Sequence, residues 1–156
     1  MLGHISSELD DLDFLHNQYK WIPNRNQIRP SKNALYDKNR TLDWIKYEWQ
    51  SMGDFIRANV FNLPWNIHER GKKIVREHPT WIVFQPSRWP YQLDIGEHYI
   101  LWYPTKERLV SDYQIDLDIQ NSIHKLHFGP YDYAWYINPK ISINDYFHVQ
   151  VFLIRY

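Results

Sequence analysis

The sequence has no cysteine and only five glycines in 156 residues. Without thiols, the chain can form neither a disulfide nor a thiolate metal site, which is typical of proteins from a reducing compartment. Its glycines are too scattered to form the Gly-rich loop that cradles phosphates in P-loop and dinucleotide-binding proteins. These absences exclude small disulfide-bonded folds and two widespread kinds of nucleotide-binding loop.

Neither sign of charge is in excess, because 18 Lys and Arg residues balance 18 Asp and Glu residues. No basic cluster stands out, so the sequence has no DNA-binding signature, although a pocket for one nucleotide stays compatible with it. No apolar run approaches the roughly 20 residues of a membrane span. The polar, acidic N-terminus also lacks the features of a signal peptide. We therefore predict a soluble cytoplasmic protein that does not enter membranes.

Aromatic residues are abundant, with eight Trp, twelve Tyr and seven Phe. Such rings either build a tight core or line a ligand pocket or partner surface. The length fits one globular domain. Within it, we expect residues 1–40 to form an N-terminal helix and an irregular arm, and residues 41–156 to form the core.

Apolar residues at helical spacing predict four helical segments, at 6–20, 41–63, 67–77 and 112–128. Thr41 is the predicted cap of the second segment, and Gly53 marks a point where that helix can break. The segment 21–38 contains Pro23 and Pro30 and is expected to be an irregular loop.

Four runs rich in aromatic and β-branched residues predict strands, at 81–85, 99–103, 133–137 and 148–154. The predicted fold is α+β: N-terminal helices pack on one mostly antiparallel sheet of about four to five strands, with one inserted helix. The inserted helix would also permit a parallel pair between the strands that flank it, so a mixed sheet stays open.

Three segments carry a family resemblance: 44–65 (WIKYEWQSMGDFIRANVFNLPW), 88–104 (RWPYQLDIGEHYILWYP) and 134–155 (AWYINPKISINDYFHVQVFLIR). In this order they resemble the fungal N-acetylglucosamine-induced protein family, whose biochemical function is unknown. That family usually carries two histidines, one residue apart, in its last strand. Here Tyr146 stands where the first would be, so chemistry that needs both imidazoles is in question.

The last predicted strand is also similar to that of histidine-triad nucleotide hydrolases and transferases, in which an imidazole attacks an α-phosphate. Side chains two residues apart project from the same face of a strand. Tyr146, His148 and Gln150 would therefore point together at one substrate. In this catalytic hypothesis His148 is the nucleophile, Gln150 donates to a phosphate oxygen, and Tyr146 takes the place of the first histidine.

Four further residues are predicted to bind the ligand. His98 would add a second imidazole, and Asn138 would orient the substrate from the neighbouring strand. Trp89 and Tyr91, in a Trp-Pro-Tyr turn, would present a wall on which a base or sugar ring stacks. The alternative for each is structural, with the histidines hydrogen-bonded within the fold and the two rings filling the core.

His124 and His127 share a helix face and, with His148 or Asp132, would offer ligands to zinc. A His-rich helix end equally complements the negative end of the helix dipole, and we predict neither a metal nor another cofactor.

Two functions stay open. The first is binding of a nucleotide or other small phosphorylated ligand, with phosphoester or nucleotidyl chemistry at His148. The second is a non-catalytic module that engages a protein or RNA partner through an aromatic-rich surface. Convergence of the predicted polar residues on one concave pocket would favour the first.

Overall fold

The computed structural model describes residues 3–5, 32–90, 96–137 and 143–156 of the chain. The predicted helix at 6–20 and the first part of the predicted arm lie outside these residues, as do Tyr91 and Asn138. None of the helices in the described ranges combines the length and apolar composition required to cross a bilayer.

A five-stranded sheet forms the centre of the fold, in the order β1-β6-β7-β5-β4. Its strands are β1 (Gly3–Ile5), β4 (Val83–Pro86), β5 (Glu97–Trp102), β6 (Tyr131–Tyr136) and β7 (His148–Arg155). The central strand β7 is antiparallel to both β5 and β6, β4 is antiparallel to β5, and β1 is parallel to β6. The predicted α+β class with a mostly antiparallel sheet is confirmed. The predicted strands are displaced from the observed ones by no more than two residues at their starts.

In the described part of the chain, three helices accompany the sheet: α1 (Lys32–Glu48), α2 (Met52–Asn59) and α3 (Asp112–Leu126). The inserted helix α3 links β5 to β6, as predicted. These two strands are not neighbours, however, because β7 lies between them. The parallel pair of the sheet is formed instead by β6 and the three-residue edge strand β1.

Helices cover the sheet on both faces, and β7 contributes to both. Because side chains alternate along a strand, its odd-numbered residues pack with the buried isoleucines of α3, namely Val149, Val151 and Leu153 with Ile115, Ile119 and Ile123. The opposite face is covered by α1 and α2, where the buried Ile45 and Ile56 cluster with Trp102 of β5. His148 and Gln150 therefore belong to the face that α1 and α2 cover.

The first described helix begins earlier than predicted. Residues 32–38 were expected to be irregular and Thr41 to cap the helix, yet α1 starts at Lys32 and Thr41 is buried inside it. Both parts of this prediction were wrong. A proline is compatible with a helix that starts shortly after it, so Pro30 did not require the loop to continue to residue 38.

The predicted helix at 41–63 is divided into α1 and α2, close to the break point suggested by Gly53. Ser51 is the N-cap of α2, and its hydroxyl accepts from the backbone N–H of Asp54 at 3.1 Å. The Asp54 carboxylate in turn accepts from the backbone N–H of Val75 at 2.7 Å. An N-cap satisfies donors that the start of a helix leaves unpaired, so the new helix can begin here without loss of hydrogen bonds.

The predicted helix at 67–77 was wrong, because the chain forms a small antiparallel hairpin of β2 (Asn66–Ile67) and β3 (Lys73–Ile74). Gly71 supplies its turn with a φ of +85°, a backbone conformation that glycine adopts without steric cost. His68 donates its backbone N–H to the carbonyl of Lys72 at 2.7 Å and closes the turn. The turn, rather than helical spacing, decides the local structure.

Candidate functional site

A cavity of about 320 Å³ lies between the α1–α2 layer and the sheet. On the sheet side, which we call the inner wall, it is lined by His98, Trp102, His148 and Gln150 among others. Ile45 of α1 and residues of α2 form the facing wall. The rim includes Lys38 of α1 and the segment 85–89, which ends β4 and continues beyond it. The volume falls at the small end of the range typical of ligand pockets, about 300–1,000 Å³.

His148 opens β7 and lies on the inner wall. Its Nδ1 is 2.9 Å from the backbone carbonyl oxygen of Tyr146. Since a carbonyl only accepts hydrogen bonds, Nδ1 carries the proton and donates it. Burial, chiefly, and the charge of Lys38 lower the pKa of His148, against the opposing effect of this hydrogen bond. The ring is thus neutral near pH 7, and Nε2 keeps its lone pair.

His98 and Gln150 form a buried pair on the inner wall, where they are 6% and 7% exposed. His98 Nε2 lies 2.5 Å from Gln150 Oε1. An amide oxygen only accepts, so the imidazole donates and the NH₂ group of Gln150 is left as a donor. Burial lowers the pKa of His98 to about 4, and the hydrogen bond only partly opposes this. His98 is therefore also a neutral ring at pH 7.

The rim contributes the positive charge of the site. Lys38 is half-buried and Arg88 is exposed, and both line the cavity. Burial lowers the pKa of Lys38, because low-dielectric surroundings disfavour the charged form of an ammonium. Among the described residues that line the cavity, none is a carboxylate. The rim therefore holds two cations, while the carboxylate of Asp37 accepts a hydrogen bond from the rim residue Trp89.

Trp89 connects the rim to α1. Its indole Nε1 donates to Asp37 at 2.8 Å. Lys38 Nζ lies 5.9 Å and the Arg88 guanidinium 5.2 Å from the centroid of its ring. These cation–π contacts hold both cations beside one aromatic plane. The ring lines the cavity and is partly exposed, so it forms a wall of the cavity rather than filling the core.

The predicted site residues are brought together only in part. His148, Gln150, His98 and Trp89 line the same cavity, whereas Tyr91 and Asn138 lie outside the described residues. Tyr146 does not line the cavity, so the expectation that it points at a shared substrate is wrong. It precedes β7, and its hydroxyl accepts a hydrogen bond from Arg57 at 3.0 Å while its ring packs on Phe61.

His124 and His127, the histidines predicted to share a helix face, have structural partners. His124 Nε2 is 3.0 Å from the Tyr131 hydroxyl, and His127 Nε2 is 3.0 Å from the Pro130 carbonyl, to which it donates. In the described part of the chain, no group of three or more His, Asp or Glu side chains is arranged to hold a metal ion. The described lining of the cavity has two neutral imidazoles and none of the anionic ligands that usually complete such a site.

Sequence reasoning missed Lys38, Arg88 and Trp102 as lining residues. Lys38 was hidden because its segment was predicted to be irregular. Arg88 directly precedes the Trp-Pro-Tyr turn, and Trp102 ends the strand that begins near His98. The even-numbered spacing of His98, Ile100 and Trp102 in one strand is a pattern that could have identified the last of them.

Neither a protein-family model, nor a curated protein, nor a solved structure matches this chain. The resemblance to the fungal N-acetylglucosamine-induced protein family therefore stays a hypothesis, and the site is interpreted from its own geometry.

Proposed function

We propose that the protein binds a small phosphorylated ligand, with a nucleotide as the leading candidate, in the cavity between α1–α2 and the sheet. One observation supports this most strongly. The cavity combines a cationic rim with neutral polar groups on its inner wall and apolar surface from α1 and α2, and none of its described lining residues is a carboxylate. A ligand with one anionic part and one flat, weakly polar part complements both features.

The rim favours an anion for an energetic reason. Burial lowers the pKa of Lys38, and a phosphate beside it would favour the charged form of the ammonium. Arg88 offers the planar donor geometry that suits phosphate oxygens. Binding of a phosphate is therefore expected to raise the pKa of Lys38.

The remaining walls favour a ring system. Trp89 at the rim and Trp102 on the inner wall are aromatic, and Ile45, Phe55 and Ile56 add apolar surface. Aromatic side chains stack on nucleobases with little dependence on base identity. A nucleotide uses both the cations and the apolar walls, whereas inorganic phosphate uses only the first.

Chemistry at His148 is a second candidate, supported by its tautomer. A neutral imidazole whose Nδ1–H is held by the Tyr146 carbonyl has its Nε2 lone pair free to attack. In that step Nε2 forms a bond to phosphorus and the bond from phosphorus to the leaving oxygen breaks. The oxygen departs with the electron pair, and water then hydrolyses the phosphoramidate. This role requires a phosphorus atom next to Nε2.

A thermal-shift panel of nucleotides, sugar phosphates and nucleotide caps tests the proposal. A ligand at 100 times its Kd adds about 2.7 kcal/mol, which corresponds to a rise of about 5–10 °C for a chain of this size. We expect the rise in wild type and its loss in His148→Ala. His78→Ala, which removes an exposed histidine, is the matched control. No rise with any member would contradict the proposal and favour the protein- or RNA-interaction module.

A further inference from the structure

The inner wall presents an ordered pair of hydrogen-bonding groups. Gln150 has its oxygen occupied by His98 Nε2–H, so it offers its NH₂ donor. His148 has its Nδ1–H occupied by the Tyr146 carbonyl, so it offers its Nε2 acceptor. The two residues are two positions apart on β7 and line one cavity. The wall therefore presents a donor next to an acceptor, each fixed by a hydrogen bond, to His98 and to the Tyr146 carbonyl respectively.

An ionised phosphate does not complement this pair. Its oxygens only accept hydrogen bonds, so it would satisfy Gln150 but would set a charged oxygen against the lone pair of His148 Nε2. The edge of a nucleobase or a carboxamide carries an acceptor beside an N–H donor and satisfies both groups. A buried polar group left without a partner is costly, so the wall discriminates between the two chemistries.

The positive charges of the site lie at the rim and not on the inner wall. Lys38 and Arg88 belong to the rim, where both lie beside Trp89, whereas His98 and Gln150 are almost fully buried. A ligand that bound with its phosphate against the inner wall would place its charge among neutral groups and its base at the cationic rim. The reverse orientation pairs each part of the ligand with its complement.

Resting on the proposed function, we infer that the ligand is a nucleoside phosphate bound with its base edge against Gln150 and His148 and its phosphate between Lys38 and Arg88. Gln150 and His148 then determine specificity for the base, and His98 is a positioning residue that fixes the orientation of the Gln150 amide. In this orientation His148 accepts a hydrogen bond from the base, and the phosphorus lies away from its Nε2.

Calorimetric titration with a nucleoside, its 5′-monophosphate and ribose 5-phosphate tests the orientation. Gln150→Glu keeps an acceptor for His98 but replaces the donor that faces the base. We expect it to weaken nucleoside and nucleotide binding by the same factor, tenfold or more on the scale of a lost hydrogen bond. Lys38→Gln is expected to weaken the nucleotide about tenfold and leave the nucleoside within about twofold, because only the phosphate meets Lys38.

Gln50→Glu and Lys106→Gln make the same chemical changes at exposed positions and serve as controls, expected to leave both affinities unchanged. The orientation is overturned if Gln150→Glu weakens the nucleotide while sparing the nucleoside, or if Lys38→Gln weakens both equally. A wild-type protein that binds none of the three ligands would instead overturn the proposed function itself.

A measurement on wild type avoids dependence on the folding of the variants. The ¹⁵N resonance of His148 Nε2 reports whether that nitrogen accepts a hydrogen bond. We expect it to move on addition of the unphosphorylated nucleoside and to stay in place with inorganic phosphate. Movement with inorganic phosphate and none with the nucleoside would overturn the inference.

Discussion

At the scale of single residues, His98 is the group with the clearest effect on stability. It is an imidazole with a pKa of about 4 in the folded protein, against about 6.5 in an unfolded chain. Between these two values the unfolded state binds more protons, so stability falls as the pH falls through this window. Above pH 6.5 the contribution is complete.

A difference of one pKa unit corresponds to about 1.4 kcal/mol. We therefore expect the titration of His98 to lower the free energy of unfolding of wild type by about 2–3 kcal/mol between pH 7 and pH 4.5. His98→Gln can still donate to Gln150 but cannot titrate, so its drop should be smaller by that amount. Urea unfolding at both pH values measures the difference. An identical pH dependence in wild type and His98→Gln would show that His98 is not buried as described, and His78→Ala is the exposed control.

The residues of the inner wall were largely predictable, and those of the rim were not. Alternation along a strand is a local rule, so His148 and Gln150 could be placed on one face from the sequence alone. Lys38 lines the cavity because α1 starts as early as Lys32 and lies over this face of the sheet, which is a tertiary arrangement. Tyr146 was misplaced because it precedes β7, where the alternation of the strand no longer applies.

At the scale of elements, a buried ionic group joins α2 to its surroundings. Asp54 forms an ion pair with Arg57 at 3.1 Å and accepts from the Val75 backbone, and Arg57 donates to the Tyr146 hydroxyl. The side chains of Asp54 and Arg57 are only 8% and 15% exposed. Removing one partner would leave the other charge buried and uncompensated, which is the costly way to break such a pair.

Asp54→Ala is therefore expected to lower the free energy of unfolding by about 3–5 kcal/mol. Asp112→Ala, at the start of α3, breaks an ion pair of similar spacing with Arg108, in which the two side chains are 55% and 37% exposed, and should cost no more than about 1 kcal/mol. Urea denaturation of both variants at pH 7 gives the comparison. Equal losses would mean that burial does not distinguish the two pairs.

The strands and α3 were predictable because their apolar patterns are strong and bounded by turn residues. The hairpin of β2 and β3 was not, because it depends on contacts with distant residues. The backbone N–H of Gln50 donates to the Lys73 carbonyl at 2.9 Å, and Lys73 Nζ lies over Trp49 and Trp65. These contacts stabilise an extended conformation in residues whose spacing alone favours a helix.

At the scale of the whole molecule, the two faces of the sheet have different roles. The α3 face is a continuous apolar core, and the polar groups of its tyrosines reach carboxylates of the helix, as Tyr133 does with Asp116 at 2.5 Å. The α1–α2 face contains the cavity, with polar residues set directly into the strands. A sheet that is fully packed on one side supports a pocket on the other without loss of rigidity.

Amide hydrogen exchange tests this division of roles. Amides of the central strand β7, which pairs on both sides, should exchange more slowly than those of the edge strand β4. A saturating nucleotide from the panel should increase protection in α1 and in the segment 85–89, which border the cavity, because the bound complex must open less often. Protection in α3 should not change, since this helix covers the opposite face. An increase in α3 as large as that in α1 would place the ligand on the wrong side of the sheet and contradict the proposed site.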